Sequence, residues 1–333
     1  MVRMRAVVIS QFGGPDVLHV VERPQPQAER GEVVVAVRAA ALNRADLLQR
    51  RGLYPAPPDV PADIPGMDFA GDVAAVGSGV TDWAIGDRVF GLVGGGAYAE
   101  ALVTSDRALA PIPTGLSYVE AAAAPEAFIT AYDAMVTQAE LRAGESVLIS
   151  AVGSGVGTAA VQLARAVGAH VLGTARTADK LTRARALGLN DAIVANDARF
   201  AQAVKAATGG RGVDVVLELV GGDYVAEDLA CLSPKGRIVV VGLLAGAKAS
   251  IDLGVLLHRR AVVRGTVLRA RPLEEKLAAV QAFRRHVVPL LASGRVKAIV
   301  DRVFPLAQAP AAHRWLEENN SFGKVALDCA VDR

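Results

Sequence analysis

Through the first third of the chain, apolar residues come in short, β-branched runs: Val7 to Ile9, Val33 to Val37, Val73 to Val76, Val89 with Phe90, and Ala99 to Val103. Between them stand GGPD, RPQPQ, YPAPPDVPADIPG and GGG. Short runs punctuated by Gly and Pro predict a mostly antiparallel, β-rich domain. The stretch from Pro55 to Pro65 cannot supply a central strand, because proline donates no ladder hydrogen bond, so it reads as a surface loop. From Tyr118 to Ala139 the pattern becomes helical and Ala-rich, with Pro125 bending it.

After that, strand and helix alternate. Ser146 to Val152 is a continuous apolar run, Val156 to Val167 has helical spacing, and His170 to Ala175 is again strand-like. Helices at Asp179 to Leu187, Phe200 to Ala207 and Tyr224 to Cys231 separate strands at Ala192 to Ala195, Val213 to Val220 and Arg237 to Gly242. Val262 to Leu268 is the sixth strand. Six strands with helical crossovers predict an α/β, Rossmann-type doubly wound parallel sheet. A long helix from Leu273 to Leu291 follows. The tail returns to strand, helix and strand at Ile299 to Phe304, Ala309 to Glu318 and Lys324 to Asp328.

Composition narrows the partners. The chain has 333 residues, 52% of them hydrophobic, with 36 Lys and Arg against 34 Asp and Glu. Such a length predicts about two domains, and such a composition excludes disorder. A net charge of +2 gives no case for nucleic acid or an anionic membrane as partner. Cys231 and Cys329 cannot build a disulfide framework and fit a reducing compartment. The apolar start is too short for a signal-peptide core, and no apolar stretch approaches the roughly 18 residues of a membrane span. A soluble, cytoplasmic protein is expected.

The central chemical signal is VLISAVGSGVGTAAVQLARAVGA. A buried strand runs into Ser154, Gly155, Val156 and Gly157 and then into a helix. That context suits a phosphate: missing side chains let backbone N–H groups face an anion, and the helix N-terminus adds partial positive charge. The spacing departs from G-x-G-x-x-G, with Val152 and Ser154 where the first two glycines would stand, and a tight strand–helix turn without a ligand is the plainer reading. An NAD site usually carries an acid at the end of the second strand, about 20 residues on, for the ribose 2′-hydroxyl. Here that strand ends Gly173, Thr174, Ala175, Arg176, and the first acid is Asp179. Arg176 and Lys180 can instead neutralise a 2′-phosphate, which points to NADPH, although both could be ordinary surface charges.

Taken with GGPDVL, ALNRADLLQRRGLYP, AAAAPEAFITAYDAM, TGGRGVDVVLELVGG, GRIVVVGL and GKVAL, this turn resembles the zinc-free quinone oxidoreductases of the medium-chain dehydrogenase/reductase superfamily. The likeness is greatest to the p53-inducible NADPH quinone oxidoreductase type. The resemblance implies a β-rich, GroES-like catalytic domain from residues 1–124 and 298–333, and a Rossmann NADP(H)-binding domain from 125–297. It implies a homodimer paired through the edge strand Val262 to Leu268, which could otherwise be a blunted sheet edge. It implies that Asn43 and Tyr54 are catalytic, bordering nicotinamide and substrate. Ser154, Gly155, Val156 and Gly157 would cradle the pyrophosphate, with Thr130 near the cofactor. Thr174, Arg176 and Lys180 would serve the adenosine end. Val220, Gly221, Gly242 and Leu243 would lie along the ribose and nicotinamide, Val267 and Leu268 at the carboxamide, and Ser321 and Phe322 close by. The family's Asn-Tyr pair after the third strand is absent, since the chain reads Val194, Ala195, Asn196.

Zinc-dependent relatives need a Cys where this chain has Asn43, Gly-His-Glu where it has Gly66, Met67, Asp68, and a lobe of four Cys. Without soft ligands in a tetrahedral set, no metal is expected. That restricts the chemistry. Reducing a simple ketone leaves a strongly basic alkoxide, whereas hydride reduction of a quinone leaves a phenolate-like anion with a pKa near that of Tyr, about 10. Such an anion needs only donors and solvent, which Asn43 and Tyr54 can supply. Both have plainer readings, Asn43 as the N-cap of a helix over Arg44 to Gln49 and Tyr54 as a loop aromatic; Asp46 on that helix reads as structural. The leading expectation is an NADPH-dependent reductase of a quinone or enone. The alternatives are an enoyl-thioester reductase and a catalytically weak, crystallin-like or RNA-associated NADPH-binding protein.

Overall fold

The computed structural model describes residues 2–330. In chain order its strands are β1 Arg3–Ile9, β2 Leu18–Pro24, β3 Glu32–Ala41, β4 Asp68–Val76, β5 Arg88–Leu92, β6 Ala101–Ser105 and β7 Leu109–Pro111. Then come β8 Ser146–Ile149, β9 His170–Ala175, β10 Asp191–Val194, β11 Val213–Glu218, β12 Leu232–Val240 and β13 Val262–Gly265, with β14 Val300–Pro305 and β15 Lys324–Asp328 last. The chain divides into two compact units, Met1–Ile129 with Arg269–Arg333, and Thr130–Leu268.

In the first unit, β1 and β2 make an antiparallel ribbon, and a larger sheet runs β14-β15-β3-β4-β5-β7 with β6 also on β3. All its pairings are antiparallel except β14 with β15. The alternation along β3 buries Val33, Val35 and Val37 against Phe69, Val73, Leu102 and Val325. This is the β-rich domain that the punctuated runs predict. Two strands escape the sequence pattern. β2, LHVVERP, is mostly solvent-facing, and β7 is three residues long, so neither presents an apolar run.

In the second unit the order is β10-β9-β8-β11-β12-β13, all parallel. Renumbered from its own first strand this is 3-2-1-4-5-6, the Rossmann order, in which the direction of winding reverses between β8 and β11. A helix at Leu253–Arg259, unmarked by the sequence pattern, precedes β13.

Three expectations are corrected. The helix through Pro125 is not bent but interrupted: one helix ends at Ala122 and another starts at Pro125, the position that tolerates a missing N–H, before a π-helical turn at Asp133–Gln138. The helix from Leu273 likewise stops at His286 and restarts as Val288–Ala292, with Pro289 in its first turn. Residues 269–297, expected in the dinucleotide-binding domain, pack within the first unit. There Phe283 sets its ring edge against Phe90 at 5.6 Å, and Arg107 pairs with Glu274 at 2.8 Å. Those partners lie far off in sequence, so no local pattern could assign the helix to its side.

Candidate functional site

In a doubly wound sheet, ligands bind beyond the carboxyl ends of the strands where the winding reverses. Here that end is the turn from β8 into the helix Gly155–Val167. Ala151 holds φ +49°, a left-handed conformation costly for a residue with a Cβ, and the Val152 N–H reaches the Thr174 carbonyl at 3.0 Å. Ser154 is the N-cap, its hydroxyl accepting from the Gly157 N–H at 3.0 Å. The N–H groups of Gly155 and Val156 have no helical carbonyl before them, as at any helix start, and lie available to an anion. Gly157 is required by space: a Cβ there would stand 2.4 Å from the Ala151 carbonyl oxygen. The helix can approach the strand this closely only without a side chain.

The neighbouring strand ends carry charge. Arg176 is exposed just past β9, Lys180 lies on the next helix, Ala178–Arg185, and the Thr174 side chain is buried. Tyr224, on the helix Tyr224–Cys231, donates its hydroxyl to the Ala195 carbonyl at 3.0 Å and lies in the field of Arg176. Past β11, one Glu218 carboxylate oxygen accepts the N–H groups of Val220 and Gly221. Burial raises Glu218 and, far more, Asp228 beside it. Neither Asp228 oxygen finds a donor among the described residues, and the neighbouring Glu218 charge adds to burial in favouring its neutral form. Gly242 and the exposed Leu243 follow β12. Val267 and Leu268, expected within the sixth strand, fall beyond it, since β13 ends at Gly265. Thr130 is buried at this unit's start.

The other expected residues belong to the first unit. Asn43 is the N-cap of the helix Arg44–Arg50, in a capping box with Asp46, and its side chain also meets other partners. Its Oδ1 accepts from Lys324 Nζ at 2.6 Å, and its Nδ2 donates to Asp68 Oδ2 at 3.0 Å. The same ammonium donates to Asp68 Oδ2 at 2.7 Å and lies 4.0 Å from Glu126. The Glu126 N–H closes the ring on Asp68 Oδ1 at 2.7 Å. Asp46 accepts the Asn43 N–H at 2.8 Å and the Tyr98 hydroxyl at 3.0 Å, leaving Oδ1 without a donor. Burial raises its pKa to about 6.

Tyr54 lies half-buried, its ring 5.4 Å from the Arg269 guanidinium. Burial raises its phenol and Arg269 opposes that rise, so Tyr54 is a protonated donor at neutral pH. Arg269 is itself buried. It donates to the Gly94 carbonyl and to Gln49 Oε1, each at 2.6 Å, and Gln49 donates onward to the Ala62 carbonyl. The two loops, 54–64 and 94–98, are thus clamped together, and Gly66, at φ +97°, admits the Tyr98 ring where a Cβ would clash. Ser321 and Phe322 are buried just before β15.

The sequence reading missed Lys324, Asp68, Arg269, Gln49 and Tyr224. GKVAL contains Lys324, but only the fold brings its ammonium to Asn43. Among the described residues, no three His, Cys, Asp or Glu side chains converge to hold a metal. Cys231 and Cys329 are buried in separate hydrophobic clusters.

Residues 29–114 match the alcohol dehydrogenase GroES-like domain family and residues 155–284 the zinc-binding dehydrogenase family. Asn43, Met67 and Asp68 offer no thiolate or imidazole, and the Lys324 ammonium lies between Asn43 Oδ1 and Asp68 Oδ2. The chain is 33% identical to quinone oxidoreductase of Rattus norvegicus, over 97% of each. It is 39% identical to erythronolide synthase EryA2 of Saccharopolyspora erythraea over 91% of its own length, but spans only 8% of that protein. Its fold superposes on Escherichia coli quinone oxidoreductase complexed with NADPH with a TM-score of 0.87 at 32% identity, covering 97% of this chain and 99% of that one. No helix of the described residues is long and apolar enough to cross a membrane. The chain belongs to the medium-chain dehydrogenase/reductase superfamily of oxidoreductases, as a homologue of the quinone oxidoreductases.

Proposed function

We propose that this chain is an NADPH-dependent, zinc-independent reductase of quinones or related α,β-unsaturated carbonyls. The observation that carries the reading is the turn at the winding reversal, helix N–H groups free and Gly157 in close approach, beside a second strand that ends in Arg176 rather than an acid. A bound NADPH supplies the hydride. Gly155 and Val156 bind its pyrophosphate through N–H groups, and Arg176 and Lys180 hold the 2′-phosphate. In the first unit Tyr54 donates a hydrogen bond to the reduced oxygen, and the Arg269 charge favours the developing anion. Asn43 keeps one Nδ2 hydrogen nearly free, its second contact being a long 3.5 Å to the Ala41 carbonyl.

The test is NADPH oxidation against ortho-quinones, para-quinones, enones and an enoyl-CoA, with and without a chelator. Quinone turnover unaffected by the chelator is expected; turnover of none of these acceptors, or loss to the chelator, overturns the reading. The similarity to erythronolide synthase favours a second reading, in which the acceptor is an enoyl thioester. Turnover confined to the enoyl-CoA would select it.

Cofactor preference is tested at Arg176. Arg176→Ala should weaken NADPH by about 1–3 kcal/mol, the worth of a charge-assisted hydrogen bond, and leave NADH nearly unchanged. Equal losses for the two cofactors would refute the assignment.

The partner proposed is a second copy. β13 is an exposed sheet edge, with Val262 46% and Val263 40% exposed, and Leu257 on the preceding helix is 75% exposed. A bare apolar edge invites strand pairing. Light scattering should report twice the chain mass, and Val263→Lys should shift the dimer toward monomer by setting like charges against each other. A monomeric parent would rule the interface out.

A further inference from the structure

We propose that the Lys324 ammonium is the built-in cation of the first unit's polar site, held by Asn43 and Asp68 where a metal would otherwise bind, and that it positions the Asn43 amide for catalysis. The role given to Asn43 rests on the functional reading above; the place of the cation does not.

The geometry is that of a cation shell. Lys324 Nζ lies 2.6 Å from Asn43 Oδ1 and 2.7 Å from Asp68 Oδ2, with Glu126 Oε2 at 4.0 Å. Lys324 is 5% exposed and Asp68 is fully buried, so neither charge is held by water. A tethered ammonium has three donors and a single charge, which suits an oxygen shell of this kind. Removing a cation from such a place leaves an uncompensated buried carboxylate.

The shell also orients Asn43. With Oδ1 on the ammonium and Nδ2 on Asp68, the amide cannot flip, because flipping would set its NH2 against Nζ and its oxygen against a carboxylate. The second Nδ2 hydrogen is therefore aimed in one direction. The ammonium further polarises the amide through its carbonyl, which strengthens that hydrogen as a donor. Lys324 is on this reading a positioning residue, acting on substrate through Asn43. It also explains how an oxidoreductase of a family described as zinc-binding keeps a fixed positive charge without zinc ligands.

The first test needs no turnover. Lys324→Ala should lower the melting temperature by roughly 5–10 °C, as expected for an unpaired buried charge. Adding n-propylammonium, which restores the missing Cγ, Cδ, Cε and Nζ, should recover most of that loss saturably, whereas 1-propanol and tetramethylammonium should not. No recovery with n-propylammonium overturns the cation's place. The second test separates charge from packing. The double variant Lys324→Met with Asp68→Asn removes both charges together. It should melt within a few degrees of the parent, keep its KM for NADPH and lose at least about tenfold in kcat. A parent-like kcat in this folded variant overturns the positioning role. Should the double variant fail to fold, kcat of Lys324→Ala with and without n-propylammonium decides the same point, and absence of rescue counts against it. A parent inactive toward every acceptor would instead sink the functional reading, while the amine titration would still decide where the cation sits.

Discussion

On the proposed function, Gly157→Val should raise the dissociation constant for NADPH at least about a hundredfold, roughly 3 kcal/mol. The reason lies in the distance between helix and strand. A Cβ at this position would meet the Ala151 carbonyl oxygen at 2.4 Å and the Val152 backbone at 2.8 Å. Backbone cannot swing aside as a long side chain can, so the turn itself must move. It moves where Gly155 and Val156 present their N–H groups, and the anion site is lost with it. Ser154→Val is the milder probe. It deletes the hydroxyl that accepts from the Gly157 N–H, a capping loss worth about 1 kcal/mol, and adds bulk beside the same N–H groups. Fluorescence titration with NADPH, run beside thermal unfolding without ligand, measures both effects. If folded Gly157→Val binds NADPH as the parent does, the pyrophosphate does not lie on this turn.

His313→Gln makes the first unit less sensitive to acid, by roughly 3 kcal/mol between pH 6.5 and pH 4 relative to the parent. His313 lies on the helix Ala309–Glu317, and its pKa is lowered from 6.5 to about 3, first by burial and then by the Arg50 charge. Its Nδ1 lies 3.2 Å from Arg50 Nη1 and so accepts, while Nε2 has no partner among the described residues. Tyr98 packs edge-on at 5.8 Å, and Glu317 pairs with Arg50 and Arg51 close by. With a depressed folded pKa, the unfolded chain takes up the proton first. The contribution is complete above pH 6.5 and is lost as the pH falls toward 3, at about 1.4 kcal/mol per unit. Asp46 works in the opposite sense. Its folded pKa is raised to about 6, so its contribution is complete below pH 3.8 and is lost as the pH rises through 6. The two slopes oppose each other in the parent, so its own pH profile would hide both. The difference between parent and His313→Gln cancels the Asp46 part. Denaturant unfolding at pH 7 and pH 4 gives that difference, and a difference unchanged between the two pH values would exclude a neutral, buried His313.

The second unit could be written down from local sequence. Its central strands β8, β9 and β11 are short apolar runs that are almost wholly buried, and Tyr224–Cys231 and His170–Ala175 fall where periodicity puts them. Parallel strands joined by helices have essentially one handedness, so the element order nearly dictates the topology. The glycine turn into Gly155–Val167 was readable for the same reason: strand, glycines and helix are contiguous. The family was readable because its motifs are short contiguous strings.

The polar site of the first unit was not readable, because its parts are scattered along the chain. Asn43, Asp68, Glu126 and Lys324 meet only when β15 pairs with β3 and β3 with β4. Arg269 joins Gln49 to Gly94 across 220 and 175 residues. Asn43 was recognised, yet as a free donor, since nothing near it in sequence reveals an ammonium at 2.6 Å. The placement of the helix Leu273–His286 failed likewise: its spacing predicts a helix but not the partner, Phe90, that its Phe283 packs against. Local pattern and chain connectivity determined which elements form, the doubly wound sheet and its glycine turn, because those follow from backbone sterics and hydrophobic periodicity within a few residues. Tertiary structure alone decided which charges are buried together, because the cost of burying a charge is set by whatever partner the fold brings to it from elsewhere in the chain.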